Sequence, residues 1–220
     1  MVAVLVATPA TAQIVQSAHV GMGLFYPRGF DSRHSADVLV ADQVADQTLD
    51  FKVGGLKGAQ FFGEWTLQVG NHVEVGAGVG YYRGTAMTRY PANGFVGPDL
   101  QLRIVPITGI VRLLLFGSPW TVQPYLGAGI AALRWQYREA GRFQDNANRV
   151  SNGQATAAGM NAGPVYLFGV RLPVGDMDSL TVEWRYQYGL GKTGGLAAGF
   201  LGDRIDLGGG VFNVGYLTRF

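Results

Sequence analysis

Strict alternation of apolar and polar residues over segments of ten or more residues constrains this chain more than any other feature. Residues 180–190 place Leu, Val, Trp and Tyr at even positions, and mainly Thr, Glu, Arg and Gln at odd positions. Residues 60–69 and 72–81 alternate in the same way, with mainly Gly, amide and charged residues on their second face. Because successive side chains of a β-strand point to opposite faces, this period of two predicts strands with one apolar face.

Eight segments of this kind are predicted, and each is longer than the roughly 9–11 residues that a tilted strand needs to cross a bilayer. They are residues 15–27, 56–70, 72–87, 99–116, 120–138, 160–173, 179–191 and 205–220. Short turns alternate strictly with longer polar loops, which cover residues 28–55, 88–98, 139–159 and 192–204. Short periplasmic turns and long extracellular loops are typical of outer-membrane barrels, and closure leaves no strand edge exposed to lipid. We therefore predict an all-β fold, an eight-stranded antiparallel up-and-down transmembrane β-barrel.

Composition agrees with a membrane protein that crosses with strands rather than helices. Only 15% of the 220 residues are charged, yet no stretch reaches the roughly 18 consecutive apolar residues of a spanning helix. The 34 glycines disfavour helix interiors by about 1 kcal/mol per residue. The net charge is +2 and the arginines are scattered singly, so we expect no nucleic acid partner.

The first residues predict export of the chain. Val2–Val6 is a short apolar stretch, and Ala10-Thr11-Ala12 matches the small-residue site that signal peptidase cleaves. We interpret residues 1–12 as the remnant of a signal peptide and residues 13–220 as the barrel domain. The alternative is an ordinary buried strand at the N-terminus.

The fourth segment requires a change of phase if its apolar residues are to share one face. Leu100, Leu102 and Ile104 have one parity, whereas Val105, Ile107 and Val111 have the other. Pro106 lies at the change and cannot donate a hydrogen bond to a neighbouring strand, so we predict a β-bulge there. The bulge would place Arg103 and Arg112 on the same polar side.

Alternation alone does not decide whether the apolar face points outward to lipid or inward, as in a soluble lipocalin-like ligand-binding barrel. The large residues Trp65, Trp184 and Phe220 lie on the apolar face, while glycine is concentrated on the other face, which suits a narrow lumen. Aromatic residues also gather near the strand ends, as in the two interfacial girdles of membrane barrels. These are Tyr26, Tyr81, Tyr82, Trp135 and Tyr137 on the loop side and Phe116, Trp120 and Phe220 on the turn side. We predict an outward apolar face.

The C-terminal octapeptide resembles the signal that the outer-membrane barrel assembly machinery reads. Asn213, Gly215 and the terminal Phe220 match its pattern, whereas Thr218 is polar where an apolar residue is usual. Together with the eight-strand pattern, this ending makes the chain similar to the small OmpA/OmpW-like barrels of Gram-negative envelopes. The resemblance implies location in the cell outer membrane, contact with outer-membrane lipid and with the assembly machinery, and a role as an anchor, adhesin or narrow pore.

Six charged residues are predicted to face the lumen. They are Glu64, Glu74, Glu183, Arg112, Arg171 and Arg185. Because an unpaired buried charge costs several kcal/mol, opposite charges should pair across the lumen and close it. The alternative is a hydrated lumen with loosely paired charges.

Motifs for catalysis or cofactor binding are weak. Residues 127–132 fit a dinucleotide fingerprint, but the alternation that follows predicts a strand where that fingerprint needs a helix. His34, Ser35 and Asp37 are the only acyl-transfer cluster, and adjacent residues on an extended chain point apart. Asp37, Asp42, Asp46 and Asp50 could form a cation site in the first long loop, but a solvated acidic face, or strands that extend above the membrane, explains them better.

We therefore expect a monomeric, non-enzymatic barrel without cofactor or metal. Its extracellular loops would contact partners that the sequence does not identify, and its lumen would be closed or narrow. The main alternative is a passive pore or conduit for small or apolar solutes.

Overall fold

A computed structural model describes residues 14–44, 49–91, 94–116, 122–144 and 149–220. Eight antiparallel strands form a closed barrel, in which the first and last strands pair with each other. The barrel strands are β1 (Ile14–Pro27), β2 (Gly58–Val69), β3 (Val73–Ala86), β6 (Asp99–Leu114), β7 (Gln123–Gln144), β8 (Val150–Pro173), β9 (Asp178–Gln187) and β12 (Gly209–Arg219). The predicted eight-stranded up-and-down barrel is confirmed.

Three of the long loops carry the remaining elements. Strands β4 (Arg89–Tyr90) and β5 (Phe95–Val96) form one small sheet, and β10 (Leu190–Lys192) and β11 (Arg204–Asp206) form another. The first loop contains helix α1 (Val38–Val44). Short 3₁₀ turns lie at Phe30–Ser32, Val53–Leu56 and Gly195–Ala198. In the described parts of the chain, no helix is long and apolar enough to span a membrane.

Several predicted features lie outside the described residues. These are the signal-peptide remnant at 1–12, the turn at 117–119, Asp46 and Trp120.

The hairpin of β7 and β8 is longer than predicted. Its strands pair without interruption from Gln123 with Arg171 to Gln144 with Val150, so most of the loop predicted at 139–159 is strand. Apart from Phe143 and Val150, small and polar residues occupy both faces of this extension. A strand that rises into water needs no lipid-facing side chains, and the alternation on which the prediction depended fades there.

The predicted bulge at Pro106 is wrong. Strand β6 keeps one register along its whole length against β3, from Glu74 opposite Arg112 to Ala86 opposite Leu100. Its even-numbered side chains point inward throughout, so Arg112 is buried whereas Arg103 is exposed on the outer wall. The strand continues without a change of phase, so the two arginines lie on opposite faces. The apolar residues change parity because the outer wall is apolar near the short turns and polar near the long loops.

In the half of the barrel near the short turns, large apolar side chains cover the outer wall. Phe61, Ile107 and Phe168 are each more than half exposed, and polar side chains fill the interior. This outward apolar face is the reverse of a soluble lipocalin-like barrel and agrees with a wall that faces lipid.

In the half near the long loops the pattern inverts. Arginines lie outside, while Leu100, Leu102 and Ile104 point inward. Tyr82, Trp135 and Tyr137 are also buried inside, so the predicted loop-side aromatic girdle is wrong for these three residues. Tyr26 and Tyr81 of that girdle, and Phe116 and Phe220 on the turn side, are exposed as predicted.

Candidate functional site in the barrel interior

The six predicted lumen residues lie together inside the half of the barrel near the short turns. Each occupies an inward position of its strand, and all six are buried. Glu64 comes from β2, Glu74 from β3, Arg112 from β6, Arg171 from β8, and Glu183 and Arg185 from β9. The structure therefore brings together side chains from five strands at one level of the lumen.

Arg112 occupies the centre of this cluster, which we call the ion-pair layer. Its guanidinium is 1% exposed and bonds to Glu64, to Glu74 at 3.2 Å and to Glu183 at 3.3 Å. Arg171 reaches the other oxygen of Glu74 at 2.8 Å, and Arg185 reaches Glu183 at 2.8 Å and Glu64 at 3.4 Å. Three carboxylates thus face three guanidinium groups with no net charge, and removal of one partner would leave an uncompensated charge.

Aromatic and polar side chains complete the ion-pair layer. The Tyr125 hydroxyl donates to Glu183 at 3.1 Å, and its ring lies under Arg112, with the guanidinium carbon 5.6 Å from the ring centroid. His19 bonds to Thr181 at 2.8 Å and stacks edge-on against Phe62. The sequence did not lead us to Tyr125, although its inward position on β7 could have indicated a place in the lumen.

An apolar layer fills the lumen above the ion-pair layer. Phe25 and Tyr82 stack with ring centroids 4.4 Å apart, among Leu100, Ile104 and Leu133. The long loops cover this layer with Leu39 of α1, Phe200 and Leu207, all fully or almost fully buried. Between the two layers, Gln60, Pro106 and Gln187 border a gap that is too narrow for a water molecule.

Acidic residues of the first loop are also buried in this cover. Arg33 pairs with Asp37 at 3.0 Å, and Asp37 accepts the backbone amides of Leu39 and Asp206. Burial raises the pKa of Asp42 to about 9, and the neighbouring Glu139 carboxylate adds to the rise. Burial likewise raises the pKa of Glu139 to about 7. The pair of Asp42 and Glu139 therefore keeps a proton at neutral pH.

The other candidate sites of the sequence are not assembled. Across the described ranges, no three carboxylate or imidazole groups lie close enough together to hold a metal ion. Asp50 forms an isolated backbone bridge with Arg89 and is exposed, whereas Asp37 and Asp42 are buried. His34 is exposed, and its Nδ1 accepts the backbone amide of Ala36.

The residues of the predicted assembly signal lie in three environments. Asn213 points into the lumen, where neither polar atom of its side chain has a partner among the described residues. Gly215 leaves room for the His19 ring, which a β-carbon would meet at 2.6 Å. Phe220 is exposed on the outer wall and packs against Trp65, with ring centroids 4.8 Å apart.

Proteins with the same architecture are known among solved structures. No family model matches the chain, and no curated protein matches it in sequence. Among solved structures, OprG of Pseudomonas aeruginosa superimposes with a TM-score of 0.57 and 10% identity, covering 95% of this chain and 97% of OprG. The chain has the fold of an integral outer-membrane β-barrel.

Other small outer-membrane barrels are similar over their whole length. Neisserial surface protein A gives a TM-score of 0.47 and 17% identity, with 94% of this chain and 96% of that protein covered. The Escherichia coli outer membrane protein W gives 0.37 and 15%, with coverages of 96% and 100%. The likeness to OprG, at 10% sequence identity, shows the same eight-stranded barrel fold.

Proposed function

We propose that this outer-membrane barrel is a non-conducting, non-enzymatic envelope protein that acts as a monomer through its extracellular loops. The observation that carries the proposal is the double closure of the lumen, by the ion-pair layer and by the apolar layer above it. An ion that crossed the barrel would have to displace the central Arg112 and then pass between packed aromatic rings.

The energetics of the ion-pair layer favour a closed lumen. Removing one partner of a buried ion pair costs about 3–5 kcal/mol, because the remaining charge is left uncompensated. A passage through the layer would have to separate several such pairs at once, since Arg112 binds three carboxylates. Transient opening by thermal motion would therefore be rare.

The loops offer material for contact with a partner. The β7–β8 hairpin extends well beyond the apolar band of the wall. Met87 and Leu196, in two different loops, are 80% and 79% exposed. Large apolar side chains at exposed loop positions support a binding role, although single ones also occur on ordinary surfaces.

An electrical measurement tests the closed lumen. Purified barrel inserted into a planar bilayer should give no stepwise conductance, and vesicles that contain it should remain impermeable to ions and small polar solutes. Stepwise conductance would favour the pore instead. Faster uptake of a small apolar solute, without ion conductance, would favour the conduit for apolar molecules.

The proposed contact between the extracellular loops and a partner has a separate test. A variant with residues 145–148 replaced by Gly-Ser repeats should still assemble and remain non-conducting. We expect it to bind less to host or envelope surfaces than the unmodified barrel does. Equal binding by both would exclude this hairpin as the contact site.

A further inference from the structure

The outer wall carries a group of neighbouring arginines just beyond the apolar band, on strands β3, β6 and β7. On β3 the outward positions run from Val73 to Tyr81, and the next outward residue is Arg83. On β6 they run from Leu113 to Val105 before Arg103, and on β7 from Leu126 to Ala132 before Arg134. In each strand, therefore, an arginine is the first charged residue beyond the apolar run.

These arginines are neighbours across the sheet. Arg83 lies directly opposite Arg103, a pairing in which β-carbons are about 4.5–5.5 Å apart. Arg103 lies opposite Gln136, which separates Arg134 from Arg138 along β7. Two like charges placed directly opposite each other destabilise a sheet unless an anion lies between them.

Protein carboxylates do not supply that anion. In the described part of the chain, Arg83, Arg103 and Arg134 form no ion pair, and all three are exposed. The residues opposite Arg134 and Arg138 on β8 are Met160 and Thr156. On the outer faces of β3, β6 and β7, the nearest acidic residue is Asp99, two outward steps above Arg103.

The rest of the wall at this level differs. On the opposite side, Tyr26, Tyr166 and Tyr186 lie along paired strands with Gly210 between Tyr26 and Tyr186. Lys57 stacks on the Tyr26 ring, with its Nζ 4.4 Å from the centroid, where the aromatic arc meets the basic one. The barrel thus has an aromatic arc and a basic arc, the latter comprising Arg83, Arg103, Arg134 and Arg138.

We propose that the basic arc binds the phosphate groups of outer-membrane lipid headgroups. Arginine pairs with phosphate through two parallel hydrogen bonds. Arg83 lies about 7 Å along the strand from Tyr81, at the height where headgroups replace hydrocarbon. A phosphate seated between Arg83 and Arg103 would relieve their repulsion, and lipid would be ordered on one side of the barrel.

Spin-labelled lipids test this proposal in bilayers of phosphatidylcholine that contain the purified barrel. The measurement is the association of chain-labelled phosphatidic acid with the protein, relative to chain-labelled phosphatidylcholine. We expect the wild type to prefer phosphatidic acid by about fivefold, the factor that one basic side chain near an anionic surface supplies. R83Q/R103Q/R134Q/R138Q, which removes all four charges of the arc, should lower the ratio to near one.

A matched variant, K52Q/R89Q/R142Q/K192Q, removes the same charge from exposed positions in the loops and at the loop end of β7, and should keep the preference. The preference should also survive inorganic phosphate at the ionic strength of a chloride control. Abolition by phosphate but not by chloride would assign the arc to free phosphate and overturn the lipid proposal. A wild-type ratio near one, or an unchanged ratio in the arc variant, would also overturn it.

A stability measurement separates this role from a structural one. In zwitterionic detergent without anionic lipid, R103Q should unfold at the same temperature as the wild type or higher, because it removes a like-charge contact. A clear fall in the unfolding temperature would show that Arg103 supports the fold itself and would count against lipid binding.

Discussion

Substitution of Glu183 is the sharpest test of the ion-pair layer. Glu183 accepts hydrogen bonds from Arg185 at 2.8 Å, Tyr125 at 3.1 Å and Arg112 at 3.3 Å. Glu183→Gln keeps the shape of the side chain but leaves one excess positive charge among three arginines and two carboxylates. We expect it to lower the free energy of unfolding by about 3–5 kcal/mol, the cost of breaking a buried pair. Coulomb's law agrees, since two charges 4 Å apart interact by about 4 kcal/mol at an effective dielectric constant of 20.

A double-mutant cycle separates pairing from simple loss of packing. Arg185→Gln alone should cost a similar amount, because it leaves one excess negative charge. E183Q/R185Q restores neutrality, so its cost should be smaller than the sum of the two single costs by at least about 1 kcal/mol. Asp31→Asn, at an exposed loop position, is the control and should change stability by less than about 0.5 kcal/mol.

The assay is reversible urea unfolding of the barrel in lipid vesicles, followed by the fluorescence of its four tryptophans. Additive costs in the cycle, or a Glu183→Gln cost below about 1 kcal/mol, would refute the reasoning and favour a hydrated lumen with loosely paired charges. Conductance of the Glu183→Gln variant in a planar bilayer is a second measurement of whether the lumen is closed by paired charges or hydrated.

Three further predictions concern the cover, the tyrosine and the C-terminus. Because the pKa of Asp42 is raised to about 9 in the fold, the unfolded cover releases this proton at a lower pH than the folded one. The stability of the cover should therefore fall as pH rises from about 4 towards 9, visible as faster amide exchange in α1. Asp42→Asn should weaken this pH dependence, and an identical profile in both proteins would contradict the assignment. Tyr125→Phe removes one hydrogen bond to buried Glu183 and should cost about 1–3 kcal/mol in urea unfolding, whereas a neutral effect would show that the hydroxyl is dispensable. Deletion of Phe220 should slow assembly in cells, measured by the difference in gel migration between boiled and unboiled samples, while Val122→Ala should assemble normally; normal assembly of the deletion would show that the terminal residue is incidental.

The membrane-crossing part of the fold was predictable because the parity of a strand is a local property. Glu183 and Arg185 alternate with Val182 and Trp184, and this pattern alone places the two charged residues on one face. The large residues on the apolar face and the glycines on the other face then indicated which face meets lipid. The same argument predicted the inward positions of Glu64, Glu74, Arg112 and Arg171.

The extracellular part was not predictable by this route. Trp135 and Tyr137 continue the parity of Leu133 and were assigned to an outer girdle, yet all three are buried in the apolar layer. Beyond the membrane the outer wall meets water, so the same alternation there indicates an inward apolar face. The change of apolar parity at Pro106, which predicts a bulge, instead marks the passage of the outer wall from lipid to water.

The sequence by itself determined that the chain crosses a membrane with strands and that certain charges point inward, because both follow from spacing between near neighbours. Only the tertiary structure decided which charges meet. Glu64 and Arg185 are 121 residues apart, and Arg171 and Glu74 are 97 apart. Their contact depends on strand register and on closure of the barrel, which bring distant strands to one level of the lumen. Strand register likewise brought the arginines of β3, β6 and β7, which are scattered along the sequence, into one basic arc on the outer wall.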